Sequence, residues 1–425
     1  MDFSSHLEKY LTKQEINDLV ASFSGEENKG LLLNKKKISD KTFKEMFPNV
    51  KKHPLVPHAY LFNKNEYDFG KKVYHELGAY YIQDPSAAIV ASLPELNGDE
   101  KVLDLCAAPG GKTVQLSLAL PKGVLVANDL SKERANILLQ NVERLGLDNV
   151  VVTSLDFSKI SPQFHDYFDC IVLDAPCSGS GMFRKMEEMK DDWTYEKVIR
   201  FAAIQKDLIL MCYDMLKPGG TLIYSTCSYS YEEDEEVVCY LLEKTPAILQ
   251  QIPRFDGDYR SKKYQQTVHL FPHLFPGEGQ YIAHFKKPGI LTKNKIEKVS
   301  LERASLNKGK TKEINRYILP QKLPEILVNH ALRPGLFTET FIGEKTIPSH
   351  HYSHAQDSRN SIPLTKEELI TYLEGQTLIK KNQQNGYFFV SYLGMNIGVV
   401  HAVNGVLKNL YPKGLRIHAK INDSF

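Results

Sequence analysis

The sequence predicts a mixed α/β protein: a parallel sheet covered by helices on both faces, a small N-terminal domain before it and a β-rich module after it. Three observations carry this reading. Strand-like apolar runs alternate with helical patterns through residues 76–290, the signature of successive βαβ units. The longest helical pattern stops at Lys217-Pro218-Gly219-Gly220, directly before another strand-like run. From residue 361 the character changes to short strand-like runs separated by Gly and Asn.

Each element follows in order. Residues 1–75 are mixed and lysine-rich, with one short helical pattern near the start, and form the expected N-terminal domain. In the segment 76–290 the strands read KVLDLCAA, GVLVANDL, NVVVTSLDF, FDCIVLDAP and GTLIYSTCS. Between them stand the helical patterns GKTVQLSLAL, SKERANILLQNVERLG and WTYEKVIRFAAIQKDLILMCYDML. Residues 291–360 are polar and basic with many breakers and read as a linker or small subdomain. Residues 361–425 open on the helical pattern PLTKEELITYLEG and continue as the strands GYFFVSYLG, MNIGVVHAV and LRIHAKI.

Composition narrows the class. At 425 residues the chain has room for roughly two to four domains. No apolar run is long enough to cross a membrane, and the N-terminus MDFSSHLEKYLTKQE is not a signal peptide. The six cysteines form no CxxC pair, so they read as free thiols in a reducing cytoplasm. Net charge is only +2, but residues 286–330 carry eleven Lys/Arg against four Asp/Glu. Lys408, Lys413, Arg416 and Lys420 stand in 406–420 with no acid. Such stretches either neutralise phosphates or solvate a linker.

The first strand runs into Asp104-Leu105-Cys106-Ala107-Ala108-Pro109-Gly110-Gly111-Lys112-Thr113. Small residues and paired glycines at a helix start let the backbone approach a ligand closely. The pattern is not a phosphate-binding G-x-x-x-x-G-K-[ST] loop, since its first glycine is missing. The second strand ends in Asp129, placed to accept hydrogen bonds from ribose hydroxyls, and the third ends near Asp156, within reach of an adenine amino group. Each aspartate alone reads equally as a turn or helix cap. Three acidic strand ends in succession point to a nucleoside cofactor.

The fourth strand ends in Asp174-Ala175-Pro176-Cys177-Ser178-Gly179-Ser180-Gly181 and the fifth in Ser225-Thr226-Cys227-Ser228. Cys170, Cys212 and Cys239 sit inside apolar patterns, as a small hydrophobe should. Cys177 and Cys227 instead occupy polar loops at the same rim as the glycine-rich turn. Two thiols suit one chemistry in particular. Carbon 5 of a pyrimidine is a poor nucleophile until a thiolate adds to carbon 6. The resulting enamine attacks a methyl sulfonium, and a second thiolate then helps remove the carbon-5 proton. Asp174 is placed to hydrogen-bond the ring nitrogen and exocyclic amine of cytosine. The residues alone do not order the two thiols.

These motifs closely resemble those of the Sun family of RNA cytosine-5 methyltransferases. The resemblance rests on CAAPGGKT (106–113), DLSKER (129–134), DAPCSGSG (174–181) and STCSYSYEEDEE (225–236), supported by YYIQDPSA (80–87) and PHLFPGEGQYIAHF (272–285). It implies a Rossmann-like S-adenosylmethionine-dependent methyltransferase core. It implies a cofactor site of Cys106, Ala107, Ala108, Pro109, Gly110, Gly111, Lys112, Asp129, Arg134, Asp156 and Asp174. It orders the thiols, with Cys227 the nucleophile and Cys177 the product-release residue, and it brings Asp174 and Lys112 into the catalytic set. GLLLNKKKIS (30–39) and HPLVPHAYLF (53–62) resemble the family's N-terminal segment, and NGVLKNLYPKGLR (404–416) resembles a PUA-like RNA-binding module of a bacterial ribosomal-RNA branch. The expected activity is methylation of carbon 5 of cytosine in 16S ribosomal RNA, free or within the 30S subunit. The enzyme is expected to be a cytoplasmic monomer that binds neither DNA nor membrane. The alternatives are the same chemistry on transfer RNA, or a non-catalytic ribosome-assembly factor. His350, His351 and His354 read as a polar loop rather than a metal site, because no acid or cysteine stands at ligand spacing. Trp193 reads as a packing residue.

Overall fold

The computed structural model describes residues 2–25, 27, 29–186, 188–292, 298–306, 312–319 and 321–416. At its centre lie five parallel strands: β1 (Lys101–Asp104), β2 (Val124–Asn128), β3 (Val150–Thr153), β4 (Phe168–Asp174) and β5 (Leu216–Thr226). Strand β6 (Gln280–Lys286) joins antiparallel beside β5. The short strands Ile248–Leu249 and Val268–Leu270 pair with β6 and complete an eight-stranded sheet. The main order is β6-β5-β4-β1-β2-β3. The chain runs outward from β1 to β3, then crosses back to β4, so the winding reverses between β1 and β4. In open α/β sheets that reversal leaves a ligand crevice at the carboxyl ends of the strands.

Helices α1 (Gly111–Ala119), α2 (Lys132–Arg144), α3 (Tyr195–Met215) and α4 (Glu235–Lys244) cover the sheet. Val114, Leu138 and Val142 pack with Val102, Leu125 and Ala127 on one face. Ile209, Met215, Val238 and Leu241 pack with Leu103, Val126 and Leu173 on the other. Alternate residues of each strand therefore serve opposite cores, which is why the strands are apolar throughout rather than alternating.

The N-terminal helix Lys13–Ser22 starts with a capping box of Thr12 and Glu15. It packs, with Phe3 and Leu7, on Trp193, Phe183, Val198 and Tyr229. Trp193 is the expected packing residue, its ring 5.4 Å from that of Phe3. A four-stranded antiparallel sheet follows, and its fourth strand is Tyr80–Gln83, paired with Lys29–Leu33. The N-terminal unit thus reaches past the expected boundary at residue 75. Its Asn34 Nδ2 donates to Leu145 O at 2.8 Å and Lys37 Nζ to Arg144 O at 3.4 Å, satisfying carbonyls at the end of α2.

Between residues 291 and 360, which read as a linker or small subdomain, strands Val299–Leu306, Lys312–Leu319, Leu336–Ile342 and Lys345–Pro348 form an antiparallel sheet. Beyond it, Leu332 N donates to Val152 O and Val152 N to Arg333 O, each at 2.9 Å, closing the outer edge of β3. The buried Arg333 guanidinium donates to Val150 O at 3.0 Å and Leu147 O at 2.8 Å. One expectation is corrected, and it concerns the histidines. They form a helix, His350–Ala355, capped by the Ser349 side chain and docked on α2, where His351 Nε2 stands 3.2 Å from Glu143. A serine cap and a buried face of Ser353 and His354 override the polar look of the sequence.

The C-terminal module holds the helix Lys366–Leu373 and a sheet built mainly on Gly386–Tyr392, Met395–Val403 and Val406–Asn409. Of the expected strand LRIHAKI, Leu415 lies in a one-turn helix, and the part beyond Arg416 falls outside the described residues, with Lys420. The two ends of the chain share a core: Leu33, Phe43 and Tyr80 pack in one cluster with Leu369, Tyr372 and Val400.

The histidine helix makes stability pH-dependent. Burial pushes His350 down to about 3 and His351 to about 4, and holds His354 well below its ordinary value. Burial also pushes Glu143 up to about 7, which opposes them. The imidazoles fold neutral, so the unfolded chain binds their protons first as pH falls below about 6.5, and stability present above that pH is lost. The net loss between pH 7 and 5.5 is about 2 kcal/mol, from three imidazoles less one carboxyl. Urea unfolding at both pH values measures it. Replacing His350 and His354 by Gln should flatten the dependence, and an unchanged slope would place its origin elsewhere.

Candidate active site

The site is assembled from the carboxyl ends of β1, β2, β4 and β5. Asp104 closes β1 and is fully buried. Its Oδ2 accepts from Thr113 Oγ1 at 2.7 Å, while Oδ1 has no hydrogen-bond partner among the described residues. Burial pushes its carboxyl up to about 7. The turn from Cys106 to Gly111 folds over it. Gly110 caps α1 with φ +119°, a conformation open to glycine, and a Cβ there would stand 3.0 Å from Leu138. Burial raises the Cys106 thiol.

Asp129 brackets the turn. Its Oδ2 accepts from Ala108 N at 3.3 Å and its Oδ1 from Ser131 N at 3.0 Å. Arg134 donates to Ala108 O at 2.7 Å and stands 3.5 Å from Asp129. Asp156 is different. It caps the helix Phe157–Ile160, accepting from Ser158 N at 3.2 Å and pairing with Lys159 at 3.0 Å. Hydrogen bonds from Ser158 hold its carboxyl below the ordinary value.

Asp174 ends β4. Its Oδ2 accepts from Lys112 Nζ at 2.7 Å, and its Oδ1 from Ser225 Oγ at 2.7 Å and Gln280 Nε2 at 2.8 Å. Burial alone would lower the Lys112 ammonium, but Asp174, with Asp104 and Cys227, holds it above the ordinary lysine value. Gln280 reaches the site because β6 pairs Tyr281 with Thr226, setting its neighbour beside Cys227.

The two sequence-marked thiols meet: Cys177 Sγ and Cys227 Sγ are 3.0 Å apart. The hydrogen bond to Cys227 and burial raise the Cys177 thiol well above its ordinary value. Their loops are stitched together. Gly181 N donates to Cys227 O at 2.6 Å, and Tyr229 N to Ser180 Oγ at 2.9 Å. Glu233 is buried between the loops. It accepts from Ser178 N at 2.8 Å, Ser228 Oγ at 2.6 Å and Gln205 Nε2 at 3.0 Å, as well as from the Ser178 hydroxyl. Beside it, Asp234 accepts from Thr226 Oγ1 at 2.6 Å. Asp234, Glu235 and His269 are all buried and close together. The two ring nitrogens face different carboxylates, Nε2 to Glu235 at 2.9 Å and Nδ1 to Asp234 at 3.9 Å. The first is a hydrogen bond and the second lies beyond hydrogen-bond distance.

A sequence model of the 16S rRNA methyltransferase RsmB/F family matches residues 91–286. Models of the N-terminal domain of 16S rRNA methyltransferase RsmF and of the methyltransferase RsmF PUA domain match residues 1–85 and 359–417. The ribosomal RNA small subunit methyltransferase F of Shewanella piezotolerans is 30% identical over 446 residues, covering 94% of this chain and 93% of its own. The chain belongs to this family. The Vibrio vulnificus family member is 30% identical over 83% of this chain and 82% of its own. A methyltransferase homolog from Pyrococcus horikoshii superposes with TM-score 0.57 at 26% identity, covering 66% of this chain and 93% of that one. NSun6 from the same organism, solved with SFG, shares the fold at TM-score 0.62 and 21% identity, covering 67% of this chain and 97% of its own. The fold is therefore the expected methyltransferase core with RsmF-type N-terminal and PUA domains.

In this RsmF-type chain, four side chains joined to the site were given no role by the sequence reading: Gln205, Ser225, Glu233 and Gln280. Ser225, Glu233 and Gln280 stand inside the resembling motifs, and Gln205 carried no signal. Gly181 yields a test of how tightly the loops are joined. A Cβ there would lie 2.6 Å from the Cys227 carbonyl oxygen. Gly181→Ala should destabilise the protein by about 1–3 kcal/mol, as overpacking does. Denaturant unfolding measures this, and a loss below about 0.5 kcal/mol would mean that the loops separate freely.

Proposed function

We propose that this protein methylates carbon 5 of a cytosine in small-subunit ribosomal RNA, with S-adenosylmethionine as methyl donor and a covalent RNA intermediate on Cys227. One observation carries the reading: two thiols 3.0 Å apart at the ends of β4 and β5, beside the Lys112–Asp174 pair. The Cys106–Lys112 turn fits the donor. Its glycines admit close backbone approach, and buried Asp104 keeps one oxygen without a partner, suited to an ammonium group. When bound, S-adenosylmethionine supplies an electrophilic methyl on a sulfonium. Asp129 and Arg134 hold the turn on the ribose side, and Asp156 stands at the outer rim. The domains proposed are an N-terminal RNA-binding unit, the methyltransferase core, the inserted sheet and the PUA module, acting as a monomer in the cytoplasm.

Cys227 adds as thiolate to carbon 6, with Lys112 stabilising the negative charge nearby. Asp174 shares a proton with ring nitrogen 3 and accepts from the exocyclic amine, which favours addition. Carbon 5 then takes the methyl group. Cys177, acting as thiolate, takes the carbon-5 proton, the electron pair restores the ring double bond, and the carbon 6–sulfur bond breaks to return Cys227 as thiolate.

The purified protein with labelled donor and small-subunit ribosomal RNA should yield 5-methylcytosine, and methylation of DNA alone would overturn the reading. Cys227→Ala should abolish RNA adducts on denaturing gels, whereas Cys177→Ala should accumulate them. The opposite pattern would exchange the two roles.

A further inference from the structure

We propose that Glu233 and Gln205 form a positioning clamp that places Cys177 against Cys227 and so governs the release step rather than the addition step. The inference rests on the roles given to the two thiols above. Neither clamp residue touches the reacting base. Both act through the backbone on either side of Cys177.

The asymmetry of the contacts carries the argument. The residue before Cys177 is held by Gln205, whose Nε2 donates to Pro176 O at 2.8 Å. The residue after it is held by Glu233, through both the amide and the hydroxyl of Ser178. Gln205 and Glu233 are tied to each other at 3.0 Å. Every one of these tethers of Cys177 ends on the clamp. Cys227 has independent anchors. Thr226 donates to Asp234, and Ser228 N donates to Thr226 Oγ1 at 3.1 Å. Ser228 Oγ links the Cys227 loop to Glu233 at 2.6 Å and to Ser178 Oγ at 3.3 Å. Loosening the clamp therefore frees Cys177 more than Cys227.

The two sites differ in cost as well. Glu233 and Gln205 are both fully buried, and the carboxylate is surrounded by neutral donors. A buried carboxylate without its donors is expensive, so the fold holds the cluster as a unit. In the release step the carbon-5 proton moves to the Cys177 thiolate, the carbon–hydrogen pair becomes the ring double bond, and Cys227 leaves with the carbon 6–sulfur pair. That transfer requires Cys177 within reach of carbon 5. The addition requires only Cys227.

Glu233→Gln keeps the shape but removes acceptor capacity facing Ser178, and Gln205→Ala removes both tethers from α3. Each should lower kcat on the order of 10- to 100-fold, as a misplacement of about 1 Å does. Single-turnover adduct formation and KM for RNA should stay within about threefold of wild type, a misplaced release group leaving addition intact. Both variants should therefore accumulate the RNA adduct that Cys177→Ala accumulates. Ser178→Ala, which removes a single hydroxyl contact, should show the same pattern more weakly. If Cys177→Ala traps adduct but Glu233→Gln and Gln205→Ala do not, the clamp is refuted while the thiol roles stand. Addition and release falling together by one factor also refutes it, because that is general loss of structure. If Cys177→Ala itself traps nothing, the assignment of the thiols fails first.

Discussion

The site depends on the parallel register of β4 and β5. Asp174 stands opposite Ser225, and Ala175 N donates to Ser225 O at 2.8 Å. From that point the two chains leave the sheet side by side. Cys177 lies three residues beyond one partner and Cys227 two residues beyond the other. A one-residue slip would turn Asp174 away from Lys112 and separate the sulfurs. The register is protected because both faces of these strands are buried, with Leu173 and Tyr224 in one core and Val172 and Ile223 in the other. Packing far from the chemistry thus sets the distance on which the chemistry depends.

A second theme is the use of buried and half-buried carboxylates as joints. Asp174 gathers Lys112, Ser225 and Gln280 from three elements, and Glu233 gathers Ser178, Ser228 and Gln205 from three more. Asp84 works the same way at the rim, accepting from Glu278 N at 2.9 Å, while Arg184 pairs with the Glu278 side chain at 2.9 Å. Each acid has more acceptor sites than a single donor satisfies, so it binds several segments at once. Polar contacts of this kind fix geometry more than they add stability, because the desolvation they require offsets much of what they return.

Much of this was legible in the sequence. Strands ending in Gly-, Pro- and Ser-rich turns announce themselves within ten residues, so β1 to β5, the cofactor turn and both thiols were placed correctly at the sheet rim. What escaped has a common cause: the deciding partner is distant along the chain. Gln205 sits in a helical pattern where an amide reads as solvated, and only the tertiary fold aims it at Pro176. Gln280 depends on the antiparallel pairing of β6, which no local pattern reveals. VSLERASL and KEINRYIL alternate as strands should, but their surrounding lysines made the segment resemble a linker. Arg333 is a residue type almost never fully buried, and its role as a donor to strand-edge carbonyls is invisible without β3. The histidine helix was misread because three polar rings in a row carry no apolar stripe.

The closure of β3 by Leu332 and Arg333 bears on the order in which the protein is made. Synthesis delivers the methyltransferase strands first and the segment that seals their outer edge well over a hundred residues after β3 itself. Until that segment emerges from the ribosome, the nascent sheet presents an unpaired strand of valines with open hydrogen-bonding groups. The chain ends then complete one shared core, since residues near Leu33 and residues near Tyr372 pack together. The enzyme is therefore finished as a unit rather than domain by domain, and a fragment holding only the reaction chemistry would inherit the exposed edge.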